Sequence, residues 1–233
     1  MKSILKKLLI TFISTVGIYL LLLWHPNPLF AHQYDYQNFV VYSDRAIPQE
    51  METVLKDAEE RLSFSELYEQ GDTFRIYICN DAWRFAFFTR NPNAGGVVNF
   101  PISPNVFIRE SDIPANELIP PKGWMYTPKE RPLSYFIAHE ATHSLQRKTD
   151  PFLQLKAPVH IIEGYADYIG KCKDFDFETF KNLYLNDDFV MNPANGLYNK
   201  YHLYVAYLME KKGFDFEQLV KEQPSMEVLE ELK

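Results

Sequence analysis

The sequence predicts an α+β fold, and three observations carry that prediction. Runs of β-forming residues are confined to the first half of the chain, at 39–42, 74–79, 95–99 and 105–108. From residue 132 nearly to the end, apolar residues return at helical spacing. Strands first and helices afterwards is the element order of an α+β domain. With 233 residues, 46% hydrophobic and 15% aromatic, the chain can build one domain with a sizeable core, which sets aside disordered, collagen-like and disulfide-scaffold classes.

Residues 1–31 stand apart from the rest. Lys2, Lys6 and Lys7 precede an uncharged run over 8–24, about 25 Å long as a helix. Such a run reads as a membrane anchor or as a signal segment. Trp24 suits an interfacial anchor, and Leu29-Phe30-Ala31 is a poor small-x-small cleavage site. No Lys or Arg follows until Arg45, so the positive-inside bias holds the N-terminus in the cytoplasm and sends the remainder across. The remainder is then a single-pass extracytoplasmic domain, or a secreted one if the segment is cleaved. Residues 32–38 read as a linker and 39–233 as the domain. Without its first 31 residues the chain keeps 21 basic against 31 acidic side chains, a net charge of −10, which argues against nucleic acid as a partner.

Within the domain, the strand at 39–42 leads through Pro48 into a helix marked by Met51, Val54, Leu55, Ala58 and Leu62. A second strand covers 74–79, and Asn80 or Asp81 can cap a helix over 82–89. Turn residues at 91–96 precede the two short strands, and five prolines mark 110–132 as irregular. Helices follow at about 132–148, 158–171, 176–185, 197–212 and 215–221. Cys79 and Cys172 either form one bridge or stand as buried thiols.

The sharpest chemical feature is His139-Glu140-Ala141-Thr142-His143, inside the helix at 132–148. Residues i and i+4 share a helix face, so both imidazoles can reach one metal ion, while Glu140 lies about 100° round, beside an open coordination position. A catalytic zinc site takes a third protein ligand. Glu163, near the start of a helix that follows Pro158, is the candidate. Asp167, one turn further on, shares its face and is placed to accept a hydrogen bond from a ligand histidine. The plainer reading of Asp167 is a solvated surface acid.

Together these residues resemble the gluzincin zinc peptidases of the thermolysin-like clan, in particular its small peptidase-MA-like domains. The match runs through His139-Glu140-x-x-His143, then Glu163-Gly164-x-Ala166 and Asp167. The resemblance implies a zincin-like fold, with a small twisted mixed sheet and helices ahead of the active-site helix and a helical C-terminal part. It implies one Zn²⁺ per chain held by His139, His143 and Glu163, with Glu140 as the base that activates water and Asp167 in support. Tyr198 becomes the donor to the oxyanion, with Tyr201 and His202 as alternatives. Equally, Tyr198, Tyr201, Tyr204 and Tyr207 recur as a core stripe. Gly95, Gly96 and Val97 become the edge strand along which an extended substrate pairs, where an ordinary hairpin is the other reading.

The activity this implies is zinc-dependent hydrolysis of a peptide or protein substrate by a membrane-anchored or exported enzyme. The competing expectation is a catalytically weak, zinc-stabilised binding or scaffold domain of the cell envelope. It is suggested by the aromatic content and by the absence of the additional lobes that many gluzincins carry.

Overall fold

The computed structural model describes residues 2–121 and 131–233. The chain opens with α1 (Lys2–Trp24), whose stretch Ser3–Trp24 is long and apolar enough to cross a membrane, a test that a signal sequence also passes. Five strands then form one mixed sheet: β1 (His32–Tyr36), β2 (Phe39–Ser43), β3 (Phe74–Cys79), β4 (Gly96–Val98) and β5 (Val106–Arg109). Their spatial order is β1-β2-β3-β5-β4. The three central strands run parallel, and both edge strands are antiparallel to their neighbours. Parallel neighbours need crossovers, here α2 (Met51–Leu62) before β3 and α3 (Ala82–Thr89) with β4 before β5. The fold is therefore α+β with a mixed sheet.

Side chains alternate across a strand, and this sheet buries both faces. Phe39, Val41, Ile76, Ile78, Val106 and Ile108 join the main core. Tyr77, Cys79 and Phe107 belong to a second core, built with Phe85 and Phe88 of α3, Phe30, and Leu23 from the last turn of α1. Leu23 is fully buried, a contribution of about 2 kcal/mol for a side chain of its size. Asn105 Nδ2 donates to the Leu23 and Trp24 carbonyls at 2.8 and 3.2 Å, satisfying two of the acceptors that a helix end leaves open. The apolar helix thus ends inside the domain.

Residues 32–38 differ from the expected linker. His32 to Tyr36 pair along their whole length with β2, His32 opposite Ser43 and Tyr36 opposite Phe39. β1 is a mostly exposed edge strand with the polar sequence HQYDY, so no apolar run announces it. Within 110–132, β6 (Ser111–Asp112) and β7 (Glu117–Leu118) form a short antiparallel pair, and 122–130 lie outside the described residues. Asp81 occupies the N-cap of α3 without a side-chain cap bond. Asn80 turns instead to Asp44 Oδ1 at 2.6 Å and Ser43 Oγ at 3.0 Å, tying β3 to the end of β2. Among the described residues no disulfide links Cys79 to Cys172.

The remaining α-helices among the described residues are α4 (Leu133–Thr149), α5 (Leu153–Lys156), α6 (Val159–Lys171), α7 (Phe177–Leu185), α8 (Asn199–Ala206) and α9 (Phe216–Glu222). α8 runs on into a π-helical stretch, Tyr207–Lys211. α4 packs against α2, β4 and β5 and against α6, and α6 packs against α8. Two glycines of α6 permit those approaches. A Cβ on Gly164 would stand 2.7 Å from the Tyr201 carbonyl oxygen, and one on Gly170 would stand 2.9 Å from the Tyr135 ring. Contacts this short exist only where the side chain is missing.

Candidate metal centre

α4 carries His139, Glu140 and His143 into a cleft of about 490 Å³, α6 brings in Glu163, and β4 forms one wall. His139 Nε2 lies 3.4 Å from Glu163 Oε2, and His143 Nε2 lies 3.6 Å from Glu163 Oε1. One ligand atom from each residue falls within 4.8 Å of the others. Tetrahedral bonds of about 2.05 Å place ligand atoms about 3.3 Å apart, so the spacing and the N, N, O donor set fit zinc with one position left over.

Partners on α4 itself orient both rings. Gln146 Nε2 donates to the Ile162 carbonyl at 3.0 Å, which turns its Oε1 towards His143 Nδ1 at 2.8 Å. An amide oxygen only accepts, so Nδ1 carries a proton and Nε2 is the nitrogen turned to Glu163 and to the metal position. His139 Nδ1 stands 3.5 Å from the Tyr135 hydroxyl, one turn earlier on the helix. Burial works against charge on Glu163, yet the adjoining His143 and His139 hold its carboxyl well below the usual range. Burial likewise opposes charge on His143, and Glu163 outweighs it, pushing the imidazole up to about 9.

Asp167 is fully buried and does not touch a ligand histidine. The expected direct bond is replaced by a relay: Tyr135 donates to Asp167 Oδ1 at 2.5 Å, and Tyr135 in turn faces His139. The reason is packing, because Gly170 lets the Tyr135 ring slide between α4 and α6. Lys171 Nζ meets Asp167 Oδ2 at 2.6 Å, His202 Nδ1 meets it at 3.2 Å, and an Arg131 nitrogen lies 3.6 Å from Oδ1. Burial opposes the charge, and Lys171, His202 and Arg131 overcome it to hold the carboxyl well below the usual range.

The same cations grip the segment ahead of α8. Lys171 Nζ also donates to the Leu197 carbonyl at 3.1 Å and to Asn199 Oδ1 at 2.6 Å. Arg131 donates to the carbonyls of Gly196 and Leu197 at 3.0 and 2.6 Å. Between these anchors Tyr198 caps α8 in the left-handed region, at φ 56°, a costly conformation for a bulky residue. Its ring lies parallel to that of His139 with centroids 6.1 Å apart, and it lines the cleft. The Glu163 carboxylate and burial together push its hydroxyl up, so the phenol keeps its proton at neutral pH.

Tyr198 is therefore the candidate that reaches the cleft. Tyr201 stacks behind it, His202 is buried beside Asp167, and Tyr204 and Tyr207 belong to the core. His160 packs against Tyr204, ring edge to face, away from the ligand cluster. Burial lowers the His202 pKa to about 4. Between pH 6.5 and 4 the unfolded chain binds a proton that the folded chain refuses. Stability is then full above pH 6.5 and falls as the pH drops towards 4, by on the order of 3 kcal/mol. Urea unfolding across that range should show a slope that flattens in His202→Gln; an unchanged slope would remove His202 as the cause.

β4 explains the glycine at 96. A Cβ there would lie 2.5 Å from Glu140 Cγ and 2.8 Å from Ile108 Cδ1. The strand lies directly over the glutamate, whose carboxylate is also bonded by the Val98 backbone. Gly95, Gly96 and Val97 line the cleft, and among the described residues β4 is an edge strand paired with β5 alone. Gly96→Ala must displace Glu140 or Ile108, and overpacking of this kind costs about 1–3 kcal/mol. Thermal unfolding of the variant should show that loss; a wild-type midpoint would mean that β4 does not lie this close over Glu140.

Of the residues singled out on the sequence, His139, Glu140, His143, Glu163, Tyr198, Gly95, Gly96 and Val97 line this one cleft, whereas Asp167, Tyr201 and His202 do not. Tyr135, Gln146, Arg131 and Lys171 were not foreseen. Three of them had a signal, since Tyr135 stands one turn before His139, Gln146 three residues after His143, and Lys171 one turn after Asp167. Arg131 had none. Compared with known proteins, the chain matches no family model, no curated protein and no solved structure.

Proposed function

We propose that the protein is a membrane-anchored zinc metallopeptidase with a zincin-like fold, its catalytic domain on the extracytoplasmic side. The reading rests on one observation above the others. A three-residue zinc donor set, a buried glutamate beside its first ligand and the edge strand β4 converge on a single cleft. The resemblance to gluzincins through His139, Glu140, His143 and Glu163 supports the same reading.

Held by His139, His143 and Glu163, zinc would supply Lewis acidity and a water of lowered pKa. Glu140 takes a proton from the attacking water and returns it to the leaving amine. The Tyr198 phenol donates to the carbonyl oxygen as negative charge develops there. β4 holds the peptide extended by adding it as a further strand.

Full-length protein in nanodiscs is expected to carry one zinc per chain and to cleave peptides in a chelator-sensitive way. Glu163→Ala should weaken zinc binding by roughly 100-fold or more and abolish cleavage with it. Zinc without hydrolysis across a broad peptide library would favour a binding or scaffold domain. A wild-type protein that holds no zinc would end both readings.

A further inference from the structure

We infer that α3 and the adjoining face of α1 seat the domain in the bilayer leaflet on its own side, so that the cleft opens at the lipid surface and takes peptide segments that emerge from the membrane. The substrate class rests on the peptidase reading above, and the lipid seat on the membrane-anchored reading of α1 alone.

The depth argument starts from α1. Its uncharged run over 8–24 is about 25 Å long, short of a hydrocarbon core of about 30 Å, so a spanning α1 lies in the core up to Trp24. Tyr19 lies five residues earlier, about 7.5 Å deeper along the helix. Yet Tyr19 already touches the domain: its hydroxyl donates to the Phe87 carbonyl at 2.9 Å, and its ring packs edge-on against Phe87 at 5.3 Å. α3 is therefore at bilayer depth.

What α3 presents there is suited to lipid. Trp83 is 65% exposed and Phe87 38% exposed, although both belong to a helix whose other face builds the second core. Arg84 is 16% exposed and turns inward, donating to the Leu29 carbonyl at 2.6 Å and pairing with Asp44 at 2.8 Å, so it brings no unpaired charge to that face. Charge is segregated accordingly. In a chain of net charge −7, residues 82–109 contain no Asp, Glu or Lys; Arg84 and Arg109 turn to carbonyls of the domain, and the exposed Arg90 is the charge that faces outward, a sign that favours anionic headgroups.

The cleft follows within a few residues. Asn91 lines it, only four residues beyond Phe87, which places that rim within about 14 Å of the lipid. An extended peptide covers that distance with about five residues.

The test uses full-length protein in phosphatidylcholine vesicles. With Trp24→Phe and Trp124→Phe leaving Trp83 as reporter, acyl-chain-brominated lipid should quench its emission about twofold, with aqueous iodide far less effective. The difference between wild type and Trp83→Phe gives the same reading should the double variant not fold. Quenching by iodide but not by lipid, or by neither because a protein surface covers the patch, would overturn the seat. For the substrate class, a peptide tethered to the vesicle through about five residues should be cleaved roughly tenfold faster than by the Trp83→Asp/Phe87→Asp variant, which recovers on longer tethers. Equal cleavage of the short tether by both proteins would overturn the substrate class. Lipid quenching with no cleavage of any peptide would retain the seat and end the peptidase reading.

Discussion

Glu140→Gln should lower peptide hydrolysis by about 10³-fold while leaving one zinc bound per chain. Glu140 is nearly fully buried, at 7% exposure, wedged under β4 with no room above it. Burial raises its pKa, and the neighbouring His143 and His139 lower it, so its affinity for a proton lies above that of an exposed carboxylate. That is the tuning a general base needs. Glutamine fills the same space but cannot take up the proton. The three ligand atoms are untouched, so zinc content measured beside turnover separates loss of chemistry from loss of metal. Retained activity in the variant would remove Glu140 from the proposed reaction.

Lys171→Met should cost 3–5 kcal/mol of folding stability, roughly 10 °C in thermal midpoint for a chain of this size. Lys171 and Asp167 are 7% and 0% exposed, and the substitution leaves the carboxylate with Arg131 at 3.6 Å as its nearest remaining cation. Breaking a buried pair is expensive because the surviving charge stays out of water. The same change removes donors from the Leu197 carbonyl and Asn199, which hold Tyr198 in its left-handed conformation. At temperatures where the variant is still folded, kcat should therefore fall with little change in KM. Urea unfolding that shows a loss below about 1 kcal/mol would mean the pair is not the anchor described here.

The coupling of these two effects comes from Asp167. On the sequence it is a carboxylate one turn after a candidate ligand, and its helical face is legible from that spacing. Its partner is not. Tyr135 stands between Asp167 and His139 because α4 and α6 approach closely at Gly170, and such an approach follows from packing two helices together. Arg131 is beyond reach for the same reason, since its partners Gly196 and Leu197 lie far along the chain.

The strands divide in a similar way. β2, β3 and β5 carry runs such as Phe74-Arg75-Ile76-Tyr77-Ile78-Cys79 and are visible in the sequence because both faces of the sheet are buried. β1 is invisible, because an exposed edge strand is defined by its hydrogen bonds to β2 and not by what its side chains bury. Nor does Leu23 differ from the other leucines of its run, although it is the one that enters the second core.

By itself, the sequence determined the α+β class, the apolar first helix, and the identities of His139, Glu140, His143 and Glu163 as one candidate site. Spacing along one helix makes neighbours of His139, Glu140 and His143, because backbone geometry alone decides that, whereas Glu163, on another helix, joins them through the resemblance to gluzincins. Only the tertiary structure decided the relay through Tyr135, the clamp on Tyr198, the glycine above Glu140 and the docking of α1 against α3. Those depend on which surfaces meet across long stretches of chain, and close packing of the whole core is what selects them.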